Sequence, residues 1–153
     1  MPRRIPQPRD AAIRQRQSEL SLVWNRSFGR DRSESFDTVQ KFIDSECIRL
    51  MVPYTPARNN ILYKTAVEGT KIGEGAIHYT APYARYQYYG KLMISSVTGS
   101  AYAVHGESKV LTDVDLTYST SRHPRAQKMW FETMKTNHKE QILRGAAVIA
   151  RRE

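Results

Sequence analysis

Residues 35–53 read SFDTVQKFIDSECIRLMVP, and this stretch decides the fold class. Phe36, Val39, Ile43, Cys47, Leu50 and Met51 recur at intervals of three and four, which places them on one side of a helix. Ser33 or Ser35 is suited to cap that helix, Asp37 favours its first turn, and Pro53 removes the donor needed to continue it. A helix over about 35–52 with one buried face is therefore expected. The single thiol, Cys47, falls on that face, where a small apolar core residue is its ordinary role; one cysteine excludes an internal disulfide.

Working outward toward the C-terminus, Pro53-Tyr54-Thr55-Pro56 forces an extended turn, because each residue before a proline avoids helical geometry. In Ile61 to Val67, Tyr63, Thr65 and Val67 alternate with Leu62, Lys64 and Ala66, the period of a strand. Gly69, Gly73 and Gly75 then mark a turn to Ala76-Ile77-His78-Tyr79, so a hairpin is expected there. Pro82 opens a short helix that Gly90 closes. Strand-like pieces follow at Leu92 to Val97, Ala101 to Val104 and Val110 to Leu116, with Gly99 and Gly106 between them. A long last helix runs from Pro124 to about Ala150, with Ala126, Trp130, Met134, His138, Ile142 and Ile149 on its apolar stripe. The sum is an α+β domain: an antiparallel β-sheet packed against a central helix (about 35–52) and a long C-terminal helix (about 124–150).

Toward the N-terminus, residues 1–17 hold three prolines and five arginines, and an extended basic arm is expected, followed by a single domain over 18–153. Leu20-Ser21-Leu22-Val23-Trp24 reads as a short strand, and Arg26 to Ser33 as a loop around Gly29. The net charge of +9 is unevenly placed: residues 1–34 contribute +4, residues 122–153 contribute +5, and the middle balances. Basic ends suit a polyanion or an acidic partner, and Arg3, Arg4, Arg9, Arg14, Arg16, Arg151 and Arg152 are the candidate contacts. Plain solvation of those ends accounts for the same charge. The longest apolar run, residues 146–150, is about a quarter of what crosses a bilayer, and no apolar leader core follows the basic N-terminus.

Chemistry is sparsely signalled. No nucleophile elbow, zincin helix or phosphate loop is present, and His78, His105, His123 and His138 are dispersed. His138 stands alone on an apolar stripe, as a hydrogen-bonded, partly buried histidine does. Asp113 and Asp115 share a strand face without a third ligand, so an exposed face is expected. No catalytic, cofactor-binding or metal-binding residues are assigned, and an enzyme is not expected. The unusual stretch is residues 79–91, YTAPYARYQYYGK, which holds five of the nine tyrosines. Tyrosine joins a large apolar body to a polar tip, so Tyr79, Tyr83, Arg85, Tyr86, Tyr88 and Tyr89 form a candidate subunit interface. Packing of the same rings into the core, or stacking on nucleic-acid bases beside Arg85 and Lys91, are the other two uses of such a block.

Four stretches, in order, resemble the minor capsid protein family of long-tailed phages, the neck or head–tail connector proteins. They are Val52-Pro53-Tyr54-Thr55-Pro56 with Leu62 beyond it, Ala76-Ile77-His78-Tyr79 leading into Pro82 to Gly90, Leu116-Thr117-Tyr118, and His123-Pro124-Arg125-Ala126 followed by Trp130-Phe131-Glu132 and Lys135. The resemblance covers about residues 35–143. It departs from the family at Pro56 to Asn60, where related proteins often turn through Thr-Gly, and the arm has no counterpart. The resemblance implies a structural virion protein, assembled in the host cytoplasm and sited in the neck. It implies a homo-oligomeric ring, six- or twelve-fold, between a portal-adaptor or head-closure protein and a tail terminator or tail tube protein. Such a ring lines the DNA channel and touches DNA non-specifically, with no membrane partner and no cofactor. The alternative carried by charge alone is a free nucleic-acid-binding protein with basic terminal segments.

Overall fold

The computed structural model describes residues 4–152, with the side chain of Arg152 outside that description. The chain is α+β, as the two apolar stripes require. Its elements are β1 (Ala11–Gln15), β2 (Ser18–Leu22), α1 (Phe28–Met51), α2 (Ile61–Gly69), α3 (Ala84–Tyr89), β3 (Lys91–Ser95), β4 (Lys109–Asp115) and α4 (Trp130–Arg152). The long helices α1 and α4 pack on each other to form the body. At their crossing the Phe42 ring presses on Gly145, where a Cβ would stand 2.5 Å from the ring. The expected sheet is built as two separate two-stranded antiparallel pairs, β1–β2 and β3–β4.

The core gathers Ile48, Leu50, Met51, Tyr54, Leu62, Ala81, Ala84, Trp130, Met134 and Ile142. Of the α1 stripe, Leu50 and Met51 are buried, Ile43 and Cys47 are partly buried against the core, and Phe36 is exposed. On α4, Trp130, Met134 and Ile142 are buried, as their spacing requires. His138 is half-buried and satisfied: Tyr54 Oη meets its Nε2 at 3.1 Å and Gln141 Oε1 its Nδ1 at 3.2 Å. Asn137 donates to the same Tyr54 oxygen at 3.2 Å, leaving the phenol proton for His138.

Four expectations are corrected. Helix α1 begins at Phe28 rather than near Ser35, because its first donors find a partner far along the chain. Gln7 Oε1 accepts from Gly29 N–H at 2.9 Å, and Ile5 N–H donates at 2.9 Å to Ser33 Oγ, itself bonded to the Gly29 carbonyl. A Cβ on Gly29 would meet the Ile5 oxygen at 2.8 Å, so glycine is what lets residues 5–7 cross the helix there. The proline-rich arm is thus docked on α1, and the boundary expected after residue 17 falls at the tip of the β1–β2 hairpin.

The second correction is at residues 61–67, which form helix α2 rather than a strand. Leu62 and Ala66, four apart, are both buried. In so short a run the same apolar residues also satisfy a period of two. The expected strand 76–79 has no ladder, and His78 N–H goes instead to Thr70 Oγ1 at 3.0 Å. Third, Ala101 to Val104 is irregular loop. Fourth, α4 starts at Trp130 and not at Pro124. The donors of its expected first turns go elsewhere, Gln127 N–H to the Tyr54 carbonyl at 3.1 Å and Met129 N–H to the Tyr88 carbonyl at 2.8 Å. The short helix after Pro82 forms as α3, and Gly90, in the left-handed region at φ 74°, ends it.

Candidate assembly surface

Three of the quoted motifs meet in space. Tyr54 and Thr55 follow α1, and their carbonyls accept from Gln127 N–H and face His123 Nδ1, the latter at 2.7 Å. Trp130 then enters between two tyrosines. Its Nε1–H donates to Tyr79 Oη at 3.0 Å, and its ring meets Tyr79 and Tyr88 edge-on with centroids 5.7 and 4.8 Å apart. Tyr118, from the remaining motif, donates its hydroxyl to the Gln87 carbonyl. The stretches are therefore brought together by direct hydrogen bonds and ring contacts.

The tyrosine block divides between the core and the surface. Tyr79 and Tyr88 face the core, and burial pushes both phenols up in pKa, with Glu132 adding to the effect at Tyr88. Tyr83, Tyr89 and Arg85 are exposed, and Tyr86 is half-buried. Arg85 and Tyr89 stand on a ridge between two apolar hollows. On one side is a groove of about 590 Å³ walled by Ile43, Cys47, Met51, Ile77, Tyr88 and Phe131. On the other is a hollow of about 610 Å³ where Tyr86 meets Lys91, Met93 and Leu111 of the β3–β4 hairpin. Tyr83, Arg85, Tyr86 and Tyr89 are thus open or partly open to solvent, while Tyr79 and Tyr88 reach the surface only as lining of the first groove.

The hairpins add a feature that charge does not signal. In β1–β2 the register pairs Ala11 with Leu22 and Ile13 with Leu20, so these four side chains share one face, while Arg14 and Glu19 pair on the other at 2.9 Å. The apolar face has no cover: Ile13 is 63% exposed and Leu20 71%. The alternation of Ile13, Leu20 and Leu22 with polar residues signals such a face in the sequence, once the turn at Arg16-Gln17 is recognised. Beyond β3 the loop and β4 leave Val97, Tyr102, Val104 and Leu111 equally open.

The candidate cations are all surface groups where described. Arg4, Arg9 and Arg16 are exposed around the hairpin, Arg14 is held by Glu19, and Arg151 is exposed near the end of α4. Arg3 lies outside the described residues, as does the side chain of Arg152. Lys135, Lys139, Arg144 and Arg151 line α4 without a salt bridge among the described residues. Asp113 and Asp115 are exposed on β4, where Lys91 Nζ bonds Asp115 Oδ1 at 3.0 Å and holds that carboxyl below its ordinary pKa. Among the described residues no group of three histidine, cysteine or acidic side chains is placed to hold a metal ion, and no helix is long and apolar enough to cross a membrane.

Comparison with protein-family models, with curated proteins and with solved structures returns no match to this chain.

Proposed function

We propose that this chain is a structural subunit of the head–tail connector of a tailed bacteriophage, forming a ring in the neck that joins portal or adaptor to tail and lines the DNA channel. The observation that carries the reading is the set of motifs resembling minor capsid proteins of long-tailed phages, which in this chain converge on the Trp130 junction. Apolar surface supports it. Soluble monomers seldom leave contiguous apolar faces uncovered, and both hairpins here do so. A closed ring uses heterologous contacts, in which each subunit offers two different faces, and this chain has distinct projecting and concave apolar surfaces. Cryo-electron microscopy of intact particles tests the proposal. Density for this chain in a ring between portal and tail tube is expected, and its absence from the virion would sink the reading.

A free nucleic-acid-binding protein is the second reading, favoured by the unpaired cations along α4. It requires binding to duplex or single-stranded DNA that weakens steeply with salt. Undetectable binding at low salt removes it. In the neck reading the same cations, with Arg151 and Arg152, meet channel DNA weakly enough to let it pass.

A further inference from the structure

We propose that the β1–β2 hairpin of one copy seats its apolar face in the groove between α1, α3 and the start of α4 of a second copy. This rests on the ring reading above and names the two surfaces that make the ring contact.

The hairpin needs a cover. A two-stranded hairpin is marginal in water by itself and is held by burying one face. Here that face is Ala11, Ile13, Leu20 and Leu22, and all four of these side chains are exposed. Yet its root is fixed. Asp10 Oδ1 accepts from Trp24 N–H at 2.8 Å across the open end, and the Trp24 ring packs on Phe28 at 4.9 Å. Residues 5–7 are bonded to the first turns of α1. The hairpin is a directed projection rather than a loose end.

The groove needs a filler, and its own hairpin cannot fill it. Its α1 wall runs from Gln40 to Met51, about 18 to 35 Å along the helix axis from the start of α1 at Phe28. Five-residue strands reach about 17 Å. Folding back would therefore meet only the near edge of the wall and leave Ile43, Cys47 and Met51 uncovered unless the contacts of Gln7 and Ile5 with α1 broke. A second copy meets no such limit.

Charge favours the same pairing. Arg9 and Arg16 flank the apolar face and have no anion among the described residues. At the groove, Glu132 acts on Tyr88, and Asp37 lies one to two helical turns before Gln40 and Asp44 of the wall. Neither acid has a cation partner among the described residues. Apolar face into apolar groove, with the basic flanks toward Asp37 and Glu132 and away from the Arg85 ridge, is a contact that points one way round. Repeated, it closes a ring.

Cys47 in the groove wall provides the test. The full chain carrying Leu20→Cys and Cys47→Ser is mixed with the unaltered chain and oxidised. A disulfide forms only where Cα atoms approach within about 7 Å, so a linked heterodimer on a non-reducing gel is the expected product. The partner variant Ile13→Cys with Cys47→Ser should link as well. Tyr102→Cys with Cys47→Ser, equally exposed on the other hairpin, should not. Leu20→Asp should raise the concentration for self-association in sedimentation by about tenfold or more while leaving far-ultraviolet circular dichroism unchanged. If the chain oligomerises but Leu20 and Ile13 variants link no better than the Tyr102 control, the hairpin is not in the groove, and the inference falls while the ring reading stands. A monomer at every concentration also overturns the inference, and particle imaging alone then decides the neck reading.

Discussion

Trp130 and Leu20 are both large apolar side chains, and the chain treats them oppositely: Trp130 is 1% exposed and Leu20 is 71% exposed. The first sits where α1, α3, α4 and the Tyr54 turn converge, with its one polar atom bonded to Tyr79. The second stands on a strand pair whose partners are only each other. The difference separates a body that buries its apolar side chains from projections that leave theirs open. Body mutations should therefore be read in stability, and projection mutations in association. The largest effect belongs to Trp130→Ala, which removes two edge-on ring contacts and strands the Tyr79 hydroxyl. A loss of about 3–5 kcal/mol is expected in urea unfolding. Retention of full stability would show that the junction is not the core of the body.

Next in size is Asp44→Ala. Asp44 is a buried carboxylate on α1 that accepts from Gly73 and Gly75 N–H at 2.8 and 3.1 Å and from Gln40 Nε2 at 2.7 Å. It ties the 70–75 turn to the helix and so shapes the mouth of the groove. Its loss leaves two backbone donors short of a partner, at a cost of about 2–3 kcal/mol. Hydrogen exchange should locate the loosening in residues 70–79. An equal loosening of β1–β2 would contradict the separation of body from projection.

How much of this was legible in the sequence depends on whether a residue's partner is near it in the chain. The α4 stripe and the α3 helix between Pro82 and Gly90 declare themselves by local spacing, and both form. The start of α1 depends on Gln7, more than twenty residues away, and the start of α4 on carbonyls of Tyr54 and Tyr88. No local pattern carries those partners, so both boundaries shifted. Residues 61–67 failed for another reason: Leu62, Lys64 and Ala66 fit a strand period, while Leu62 and Ala66 alone fit a helix. The candidate surface was half legible. The tyrosine block marked a ridge that is partly open to solvent, but only the fold could tell that Tyr79 and Tyr88 turn inward. The apolar hairpin face was hidden because the arm's arginines and prolines drew the reading toward charge.

Gly90 tests the joint between body and projection with a smaller effect. It ends α3 in the left-handed region, its carbonyl accepts from Leu116 N–H at 2.8 Å, and β3 begins at the next residue. A Cβ there would come within 3.0 Å of the Lys128 side chain and the Tyr118 hydroxyl. Gly90→Ala should cost about 1–2 kcal/mol, through the strained φ and the crowding. The β3–β4 hairpin should be displaced before α1 and α4 are. Amide shifts confined to 88–118 would support that order, whereas shifts spread evenly over α1 would mean that hairpin and body move as one.

The smallest effect lies beside Gly90, at the open end of the same hairpin, in the pair of Lys91 and Asp115. Lys91 Nζ holds the Asp115 carboxylate at 3.0 Å and also bonds the Asp113 carbonyl at 3.0 Å. The hydrogen bond and charge of Lys91 lower the Asp115 pKa below its ordinary value of 3.8. A carboxyl whose folded pKa is depressed stabilises the fold above its unfolded pKa and loses that contribution as pH falls through the folded one. The pair should therefore hold at neutral pH and release below about pH 4, the ordinary carboxyl range. Both groups face solvent, so the change should be slight and weakened by salt. Carboxyl carbon shifts of Asp115 followed down in pH should show a midpoint below the ordinary carboxyl value. Lys91→Met should raise that midpoint without moving the helical signal of the body. If that variant instead softens α1 and α4, the hairpin contributes to the body after all, and the contrast between Trp130 and Leu20 is one of degree.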